Sequence, residues 1–377
     1  MRAYRIEIPE AALDDLRERL SRARWPEPAT VAGWAQGVPL DYARELCEYW
    51  RTGYDWRRAE AELNALPQFC TVLDGGGDDS LDIWFLHVRS RHANALPLLV
   101  THGWPSSVVE FLDVVDALVD PPDPADAFHL VIPALPGYGF SGKPTTAGWG
   151  AERIATAWAQ LMDRLGYQRY GAHGGDWGAV ITAALATGIP EAVVGIHLTM
   201  PVAERPPNSA DTALTPAERT AEQAYRNFIR FGSGYAHQQS TRPQTIGYGL
   251  VDSPVALVTW IAEKFWEWTD CAGHPENVIS RDRLLDNVML YWLPAAGASA
   301  ARLYWESYRR RRREPVPVPT GVTLFPKEIY RIPRSWAEHR FPDLRYWSEP
   351  EVGGHFPALE QPEVFVEELR AFFRLVR

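Results

Sequence analysis

The residues best suited to chemistry begin with an aspartate in a glycine-rich turn, the sequence GGDWG at residues 174–178. A short β-rich run precedes this turn and an alanine-rich run follows it, as in a nucleophile elbow, where small residues allow a sharp strand-to-helix turn. Serine is the usual exposed residue there, whereas this chain has Asp176. A carboxylate can attack carbon without first losing a proton, so Asp176 predicts alkyl transfer through an ester on the protein. The alternative is a structural turn in which Asp176 caps the next helix.

A second motif, HGWP at residues 102–105, also follows an apolar run. In hydrolases with such an elbow, the loop after this strand supplies one backbone N–H group to an oxyanion hole, and the residue after the nucleophile supplies another. Those groups would belong to Trp104 and Trp177. A tight turn around a structural histidine is the competing interpretation. The place of the motif upstream of the elbow, with a strand between them, favours the functional one.

A histidine and a carboxylate near the end of the chain complete the set. His355 lies in the motif GGHFP, and a histidine suits ester hydrolysis because its pKa lies near neutral pH. Glu328 comes shortly after a predicted strand, and the order nucleophile, acid, histidine is that of the α/β-hydrolase fold. Asp343 and Glu349 are rival carboxylates, although neither occupies that loop. The sequence therefore predicts that His355 activates water and that Glu328 orients His355.

Composition limits the classes of protein that could carry these groups. The 377 residues have a formal net charge of -10, which makes nucleic acid or an anionic membrane a poor partner. Apolar residues make up 46% of the chain and 16 residues are Trp, enough for a large core and a bulky apolar pocket. The basic run at residues 309–313 is expected to be solvated surface.

Cysteine usage and the N-terminal residues indicate the compartment. Cys47, Cys70 and Cys271 form no close pair and no metal-ligand spacing, so we expect a reducing cytoplasm and no metal site. The first residues carry charges throughout and resemble neither a signal peptide nor a membrane span. A soluble, cytoplasmic and unprocessed protein is predicted.

The surrounding pattern divides the chain into four parts. Residues 1–68 are predicted to form a helical arm, and residues 202–314, with helix formers and no convincing strand, a helical cap. Alternating strand and helix signals in residues 69–201, resuming in 315–377, predict an α/β core with a mostly parallel sheet flanked by helices. The predicted strands are residues 69–73, 83–88, 98–101, 130–134, 170–173, 193–199, 321–325 and 344–347, and the predicted core helices are about 107–119, 151–165, 177–188 and 361–375.

Taken together, these motifs resemble those of the microsomal-type epoxide hydrolases, and the resemblance spans nearly the whole chain. The segments YRIEIP at residues 4–9, LRERL at 16–20 and RWP at 24–26 resemble the arm that wraps the hydrolase core in that family. The elbow, HGWP, GYGFS at 137–141 and GGHF match in order. Glu328 precedes His355 by 27 residues, close to the separation in the family. The resemblance implies a soluble, bacterial-type member without the membrane anchor that some members carry.

The resemblance also implies two cap tyrosines whose hydroxyls bind the epoxide oxygen and stabilise the alkoxide as the ring opens. The sequence SGYAHQ resembles the context of the first and makes it Tyr235. The sequence RLYWE resembles that of the second and makes it Tyr304. The competing assignments are Tyr248, Tyr291 and Tyr308.

The implied reaction is attack of Asp176 on an epoxide carbon, followed by hydrolysis of the ester by water that His355 activates, which releases a vicinal diol. It uses a small epoxide and water, and it needs no metal or organic cofactor. Cap tryptophans suggest an apolar substrate, aromatic ones included, unless the rings merely fill the core. Among these tryptophans, Trp260, Trp266 and Trp292 are assigned to the substrate pocket, beside Trp268.

Three alternatives to an epoxide hydrolase remain open at this point. A haloalkane or haloacid dehalogenase shares the aspartate nucleophile but would hold a halide with Trp or His N–H groups. A serine-type esterase or peptidase is disfavoured because Asp176 is not serine. A catalytically silent binding module is disfavoured by the complete set of candidate residues. The sequence does not distinguish a role in detoxification from one in natural-product biosynthesis, and apolar surface on the arm could support a homodimer.

Overall fold

The computed structural model describes residues 1–206, 214–310 and 314–377. Residues 207–213 and 311–313 lie outside the described residues. The second range holds three of the five residues of the basic run at 309–313, so the prediction that this run is solvated surface lies mostly outside the described residues. The strands, numbered along the chain, are β1 Arg2–Ala3, β2 Gln68–Leu73, β3 Leu81–Val88, β4 Leu96–Thr101, β5 Phe128–Pro133, β6 Tyr170–Gly174, β7 Val193–Leu198, β8 Thr320–Thr323 and β9 Leu344–Ser348.

Strand order makes the sheet antiparallel at one end and parallel through its centre. Within the described residues it has nine strands in the order β1-β2-β3-β5-β4-β6-β7-β8-β9. The pairs from β1 to β5 along that order are antiparallel, and every pair from β5 to β9 is parallel. The predicted mostly parallel sheet is therefore confirmed. Strand β5, wholly buried along FHLVIP, shows the continuous apolar run typical of a strand covered on both faces.

Helices make up most of the arm and of the cap, and they alternate with the strands of the core. The arm contains α1 Glu10–Ser21, α2 Leu40–Thr52 and α3 Trp56–Ala65. The core contains a 3₁₀ segment Val108–Val114, α4 Val115–Val119, α5 Ala151–Arg164, α6 Asp176–Gly188, α13 Arg334–Arg340, α14 Pro357–Glu360 and α15 Pro362–Phe373. The cap contains α7 Pro216–Asn227, a π-helical segment Phe228–Gly232, α8 Gly234–Thr241, α9 Pro243–Asp252, α10 Pro254–Trp268, α11 Arg281–Trp292 and α12 Gly297–Ser307.

The arm is amphipathic and packs against the rest of the chain. In α1 the buried residues Leu13, Leu16 and Leu20 recur at helical spacing and form one apolar stripe. The arm also bonds the cap, since the hydroxyl of Tyr49 donates to Asp282 of α11 at 2.7 Å. The arm is thus joined to the cap by polar as well as apolar contacts.

The helices were compared with the length and apolar character that crossing a bilayer requires. Among the described residues, no single helix is long and apolar enough to cross a bilayer. The pair α9 and α10, bent by 113° at their junction, has sufficient length and apolar character only when both are taken together.

The contact of α6 with β4 requires a glycine. A side-chain carbon at Gly178 would lie 1.9 Å from the carbonyl oxygen of Thr101, the last residue of β4. Because that neighbour is backbone in the middle of the sheet, it cannot move aside cheaply. By contrast, a side-chain carbon at Gly188, at the other end of the same helix, would meet nothing within 4 Å.

We predict that Gly178→Ala destabilises the protein by about 1–3 kcal/mol or more, because overpacking forces helix and strand apart. Gly188→Ala is the matched control and should stabilise by about 0.4–1 kcal/mol, because alanine reduces the conformational entropy of the unfolded chain. Urea unfolding of both variants measures the difference. Equal stability of the two variants would contradict this account of the helix–strand contact.

Candidate active site

The nucleophile elbow forms where β6 ends and α6 begins. Asp176 has a φ of +47°, a left-handed conformation that Asp adopts more readily than most non-glycine residues. A side-chain carbon at Gly174 would lie 2.2 Å from the backbone of Gly178, so the turn closes only with glycine there. The turn therefore places the Asp176 carboxylate at the carboxyl edge of the parallel strands, where α/β enzymes bind ligands.

The loop after β4 approaches the same carboxylate. The backbone N–H of Trp104 donates to Oδ1 of Asp176 at 2.8 Å. A side-chain carbon at Gly103 would lie 2.2 Å from that oxygen, so glycine is what lets the loop come this close. The predicted contribution of Trp104 thus has direct geometric support. The backbone N–H of Trp177 stays a prediction, although the Trp177 ring is buried beside the site.

His355 lies between two carboxylates. Its Nδ1 is 2.7 Å from Oε1 of Glu328, and its Nε2 is 3.6 Å from Oδ2 of Asp176. All three side chains are buried. The rival Asp343 instead pairs with Arg345 at 2.9 Å. The structure therefore brings together the three residues that the sequence predicted as a triad.

The remaining rival carboxylate, Glu349, also lies elsewhere, where it accepts from Trp347 at 2.8 Å and pairs with Arg331 at 3.0 Å. Trp347 belongs to the partly exposed edge strand β9, and Arg331 lies in the segment between β8 and α13. Neither rival is therefore brought to the histidine.

Glycine also explains the motif around His355. The backbone N–H of His355 donates to the carbonyl oxygen of Trp268 at 2.9 Å. A side-chain carbon at Gly354 would lie 2.4 Å from that same oxygen. Gly353 has a φ of +106°, a conformation that favours glycine. The two glycines thus let the histidine loop turn tightly against the end of cap helix α10.

The charges around His355 favour its cationic form. Burial alone would lower its pKa, but the negative charges of Glu328 and Asp176, with the hydrogen bond to Glu328, raise the pKa well above its usual value. At neutral pH the resting site is therefore an imidazolium held between two carboxylates. Removal of either negative charge would lower the pKa of His355.

The two predicted cap tyrosines pack against each other and against Trp104 and Trp177, which flank Asp176. Tyr235 of α8 and Tyr304 of α12 have ring centroids 5.8 Å apart. Tyr235 stacks on Trp104 at 4.9 Å, and Tyr304 packs edge-on against Trp177 at 5.0 Å. Burial, followed by nearby negative charge that includes Asp176, raises the pKa of both phenols well above 10. Both hydroxyls are therefore neutral and able to donate hydrogen bonds.

The competing tyrosines are placed differently. The hydroxyl of Tyr291 donates to the carbonyl oxygen of Ser106 at 2.7 Å. Tyr248 is 69% exposed. Tyr308 packs behind Tyr304 with ring centroids 5.9 Å apart. These positions favour the assignment of Tyr235 and Tyr304.

Two of the tryptophans assigned to the pocket face the arm instead. Trp266 stacks on Trp34 at 4.7 Å with an interplanar angle of 4°. Trp292 packs edge-on against Trp50 at 6.4 Å. The structure does not bring these rings to the triad, because the apolar face of the cap on which they lie is covered by the arm.

Two further cap tryptophans, Trp260 and Trp268, contact residues of α8 or of the triad. Trp260 donates through Nε1 to Gln239 of α8 at 3.2 Å, one turn after Tyr235. The ring of Trp268 lies 5.0 Å from that of His355 and 5.1 Å from that of Tyr235. Trp268 is thus the cap tryptophan that contacts both the histidine and a tyrosine of the site.

Two buried glutamates near the triad were missed by sequence reasoning. Glu110 accepts from the hydroxyl of Ser106 at 2.6 Å, and Glu360 accepts from the backbone N–H groups of Phe356 and Asp270 at 3.0 and 2.8 Å. Burial raises the pKa of each to about 7. The available signal was a single carboxylate inside an apolar run, VVEFL or FPALE, where an isolated charge is costly and needs partners.

Fold and site together define an α/β hydrolase whose strand-to-helix turn carries a carboxylate, close to a histidine–glutamate pair and to two neutral phenols. Within residues 1–206, 214–310 and 314–377, no group of three or more His, Cys, Asp or Glu side chains is placed to hold a metal ion.

Comparison with known proteins identifies the family. Residues 1–111 match the family model for the epoxide hydrolase N terminus, and residues 97–274 match that for the α/β hydrolase fold. A Stigmatella aurantiaca protein whose name provisionally assigns it to the epoxide hydrolases is 51% identical over 99% of this chain and 85% of its own length. Epoxide hydrolase 1 of Sus scrofa is 33% identical over 100% of this chain and 89% of its own length.

Solved structures agree with this comparison. The Aspergillus niger epoxide hydrolase matches with a TM-score of 0.90 and 33% identity, over 100% of this chain and 96% of that one. The juvenile hormone epoxide hydrolase of Bombyx mori matches with a TM-score of 0.90 and 31% identity, over 100% and 95%. The chain therefore belongs to the epoxide hydrolase family, and the resemblance found in the sequence is confirmed.

The raised pKa of Glu110 gives a prediction about stability. Because burial raises this pKa from 4.5 to about 7, the folded state keeps a proton that the unfolded state releases, and stability falls as pH rises between those values. Glu110→Gln keeps an acceptor for Ser106 but cannot ionise. Its unfolding free energy relative to wild type should therefore rise from pH 4.5 to pH 8, by up to about 3 kcal/mol.

Urea unfolding at several pH values measures this difference. The surface variant Glu351→Gln serves as the control and should show no such trend. A constant difference between Glu110→Gln and wild type at pH 5 and pH 8 would contradict the prediction.

Proposed function

We propose that this enzyme hydrolyses apolar epoxides to vicinal diols through a covalent ester on Asp176. The observation that carries the proposal is the division of the Asp176 carboxylate between two partners. Oδ1 accepts the Trp104 N–H, while Oδ2 faces Nε2 of His355. One oxygen is thereby held in a prospective oxyanion hole, and the other remains available to attack carbon.

Ring opening begins with attack of Oδ2 on an epoxide carbon as the bond from that carbon to the epoxide oxygen breaks. Tyr235 and Tyr304, both neutral, donate hydrogen bonds to the oxygen, and one of them transfers its proton to it. The product of this step is a hydroxyalkyl ester of Asp176. The proton then missing from the tyrosine is returned by the His355 imidazolium.

Ester formation itself prepares His355 for the second step. Esterification removes the charge of Asp176, one of the two carboxylates that raise the pKa of His355, so the imidazolium releases its proton more readily. Neutral His355, oriented by Glu328, then takes a proton from water, which attacks the carboxyl carbon. The oxyanion forms on Oδ1 beside the Trp104 N–H. Its collapse breaks the bond between the carboxyl carbon and the substrate oxygen, which takes the proton from His355 and leaves as the diol hydroxyl. The Asp176 carboxyl group then gives its own proton to His355, which restores the carboxylate and the imidazolium.

The walls of the site support an apolar substrate. The described residues around the nucleophile include four aromatic rings in mutual contact, with centroid distances of 4.9 to 6.1 Å. Such rings contribute apolar contact area, and the neutral phenols add hydrogen-bond donors for an uncharged oxygen. These rings belong to Trp104, Tyr235, Trp268 and Tyr304.

A single turnover with styrene oxide in heavy-oxygen water tests the covalent route. Because water attacks the Asp176 carboxyl carbon, we expect label in the Asp176 carboxylate and an unlabelled diol from the first turnover. Mass analysis of the active-site peptide and the diol measures both. Label in the diol and none in Asp176 would mean direct attack of water on the epoxide, whereas chloride release from a chloroalkane without any diol would indicate a dehalogenase.

Removal of one tyrosine hydroxyl should slow ring opening. In Tyr235→Phe and in Tyr304→Phe we expect the rate of ester formation to fall by about 10²–10³-fold, because one donor to the developing alkoxide is lost. The exposed Tyr248 provides the control Tyr248→Phe, which should leave the rate unchanged. Rapid-quench mass spectrometry of the intact protein measures ester formation, and an unchanged rate in both buried variants would refute the assignment.

A further inference from the structure

Side chains, rather than regular secondary structure, hold the loop that carries the Trp104 N–H. We call residues 103–107 the oxyanion loop. The carbonyl oxygen of Gly103 lies 2.9 Å from Nδ1 of His102, and that of Ser106 accepts from the Tyr291 hydroxyl at 2.7 Å. The carbonyl oxygen of Pro105 accepts from Nδ2 of Asn287 at 2.7 Å. Three carbonyl oxygens of a five-residue loop are thus each fixed by a different side chain.

Asn287 uses both ends of its amide on this loop. While its Nδ2 donates to Pro105, its Oδ1 accepts from the hydroxyl of Ser107 at 2.7 Å. It is 1% exposed, so its partners are not replaced by bulk solvent. Tyr291 lies one helical turn further along α11 and therefore on the same face. One face of this cap helix thus fixes the loop at three consecutive residues, from Pro105 to Ser107.

Helix α11 also forms hydrogen bonds with the arm. Asp286, the neighbour of Asn287, accepts from the Tyr54 hydroxyl at 2.8 Å and from the Arg58 guanidinium at 2.6 Å. Asp282 accepts from Tyr49. The helix is therefore held between the arm and the oxyanion loop, and its own position is well determined.

We propose that Asn287 is a positioning residue for the oxyanion hole and that it acts on ester hydrolysis rather than on ring opening. The inference rests on the proposed covalent route. During ring opening, negative charge leaves Asp176 for the epoxide oxygen, so the Trp104 N–H bond to Oδ1 weakens. During hydrolysis, charge returns to Oδ1, and the same N–H must then lie at hydrogen-bond distance. Loosening of the loop therefore impairs the second step selectively.

Asn287→Leu removes both hydrogen bonds at nearly constant volume. We expect the decay of the Asp176 ester to slow by about 10²-fold, while the rate of ester formation changes by less than about threefold. The ester then accumulates, and kcat and KM fall together while kcat/KM is maintained. Tyr291→Phe, a milder change at the same loop, should slow ester decay by about 10-fold and carries the test where Asn287→Leu does not fold.

The control is Asn64→Leu, which removes hydrogen bonds of similar length from the arm residue Ile6 at 2.9 and 2.8 Å. It has no role at the oxyanion loop and should leave both steps unchanged. Rapid-quench mass spectrometry with styrene oxide measures ester formation and decay in all variants and the wild type.

The possible outcomes separate this inference from the proposed function. An ester in the wild type that decays equally fast in Asn287→Leu and Tyr291→Phe would overturn the inference alone. So would equal slowing of ester formation and decay, which indicates a general structural effect. Absence of the ester in the wild type would overturn the covalent route and the inference with it.

Discussion

The carboxylate of Asp176 has two different neighbours, a backbone N–H on one oxygen and an imidazole near the other. The surrounding loops must bring each of these groups to its own oxygen. Three loops must approach one side chain within hydrogen-bond or ion-pair distance. Glycine supplies the necessary space on all three. A side-chain carbon at Gly103 or at Gly174 would lie 2.2 Å from an atom of the site or of its turn. One at Gly354 would lie 2.4 Å from the carbonyl oxygen of Trp268. The geometry of a parallel sheet brings these loops to one edge.

The cap contributes two hydrogen-bond donors, the hydroxyls of Tyr235 and Tyr304, and its helix α11 holds the oxyanion loop in place. Tyr235 and Tyr304 are kept neutral by burial, which makes them donors, while α11 fixes the oxyanion loop through Asn287. The two contributions correspond to the two halves of the proposed reaction, because alkoxide charge develops near the tyrosines and oxyanion charge develops near the loop. A single covering domain can thus serve both steps without any group moving between them.

The core was predicted well from the sequence, because the patterns that indicate its strands and turns lie within short stretches of the chain. Strands such as β5 are continuous apolar runs, and the turns that bear Asp176 and His355 need glycines that are visible as motifs. The pocket was predicted less well, because a tryptophan on a helix shows that a surface is covered but not by which element. Trp266 and Trp292 face the arm. Buried polar residues such as Glu110 escaped notice because their partners lie in the fold rather than in the adjacent sequence.

The arm influences the active site indirectly, because its contacts with Asp286 fix the position of α11. Asp286 is 2% exposed, and burial raises its pKa while Arg58 and Tyr54 lower it. A buried carboxylate that loses its partners is strongly destabilising, so a shift of the arm away from α11 would be costly. Since α11 in turn holds the oxyanion loop, the burial of one charge at the arm limits the freedom of the Trp104 N–H. The precision of the oxyanion hole therefore depends on how the arm docks as well as on the hydrolase core.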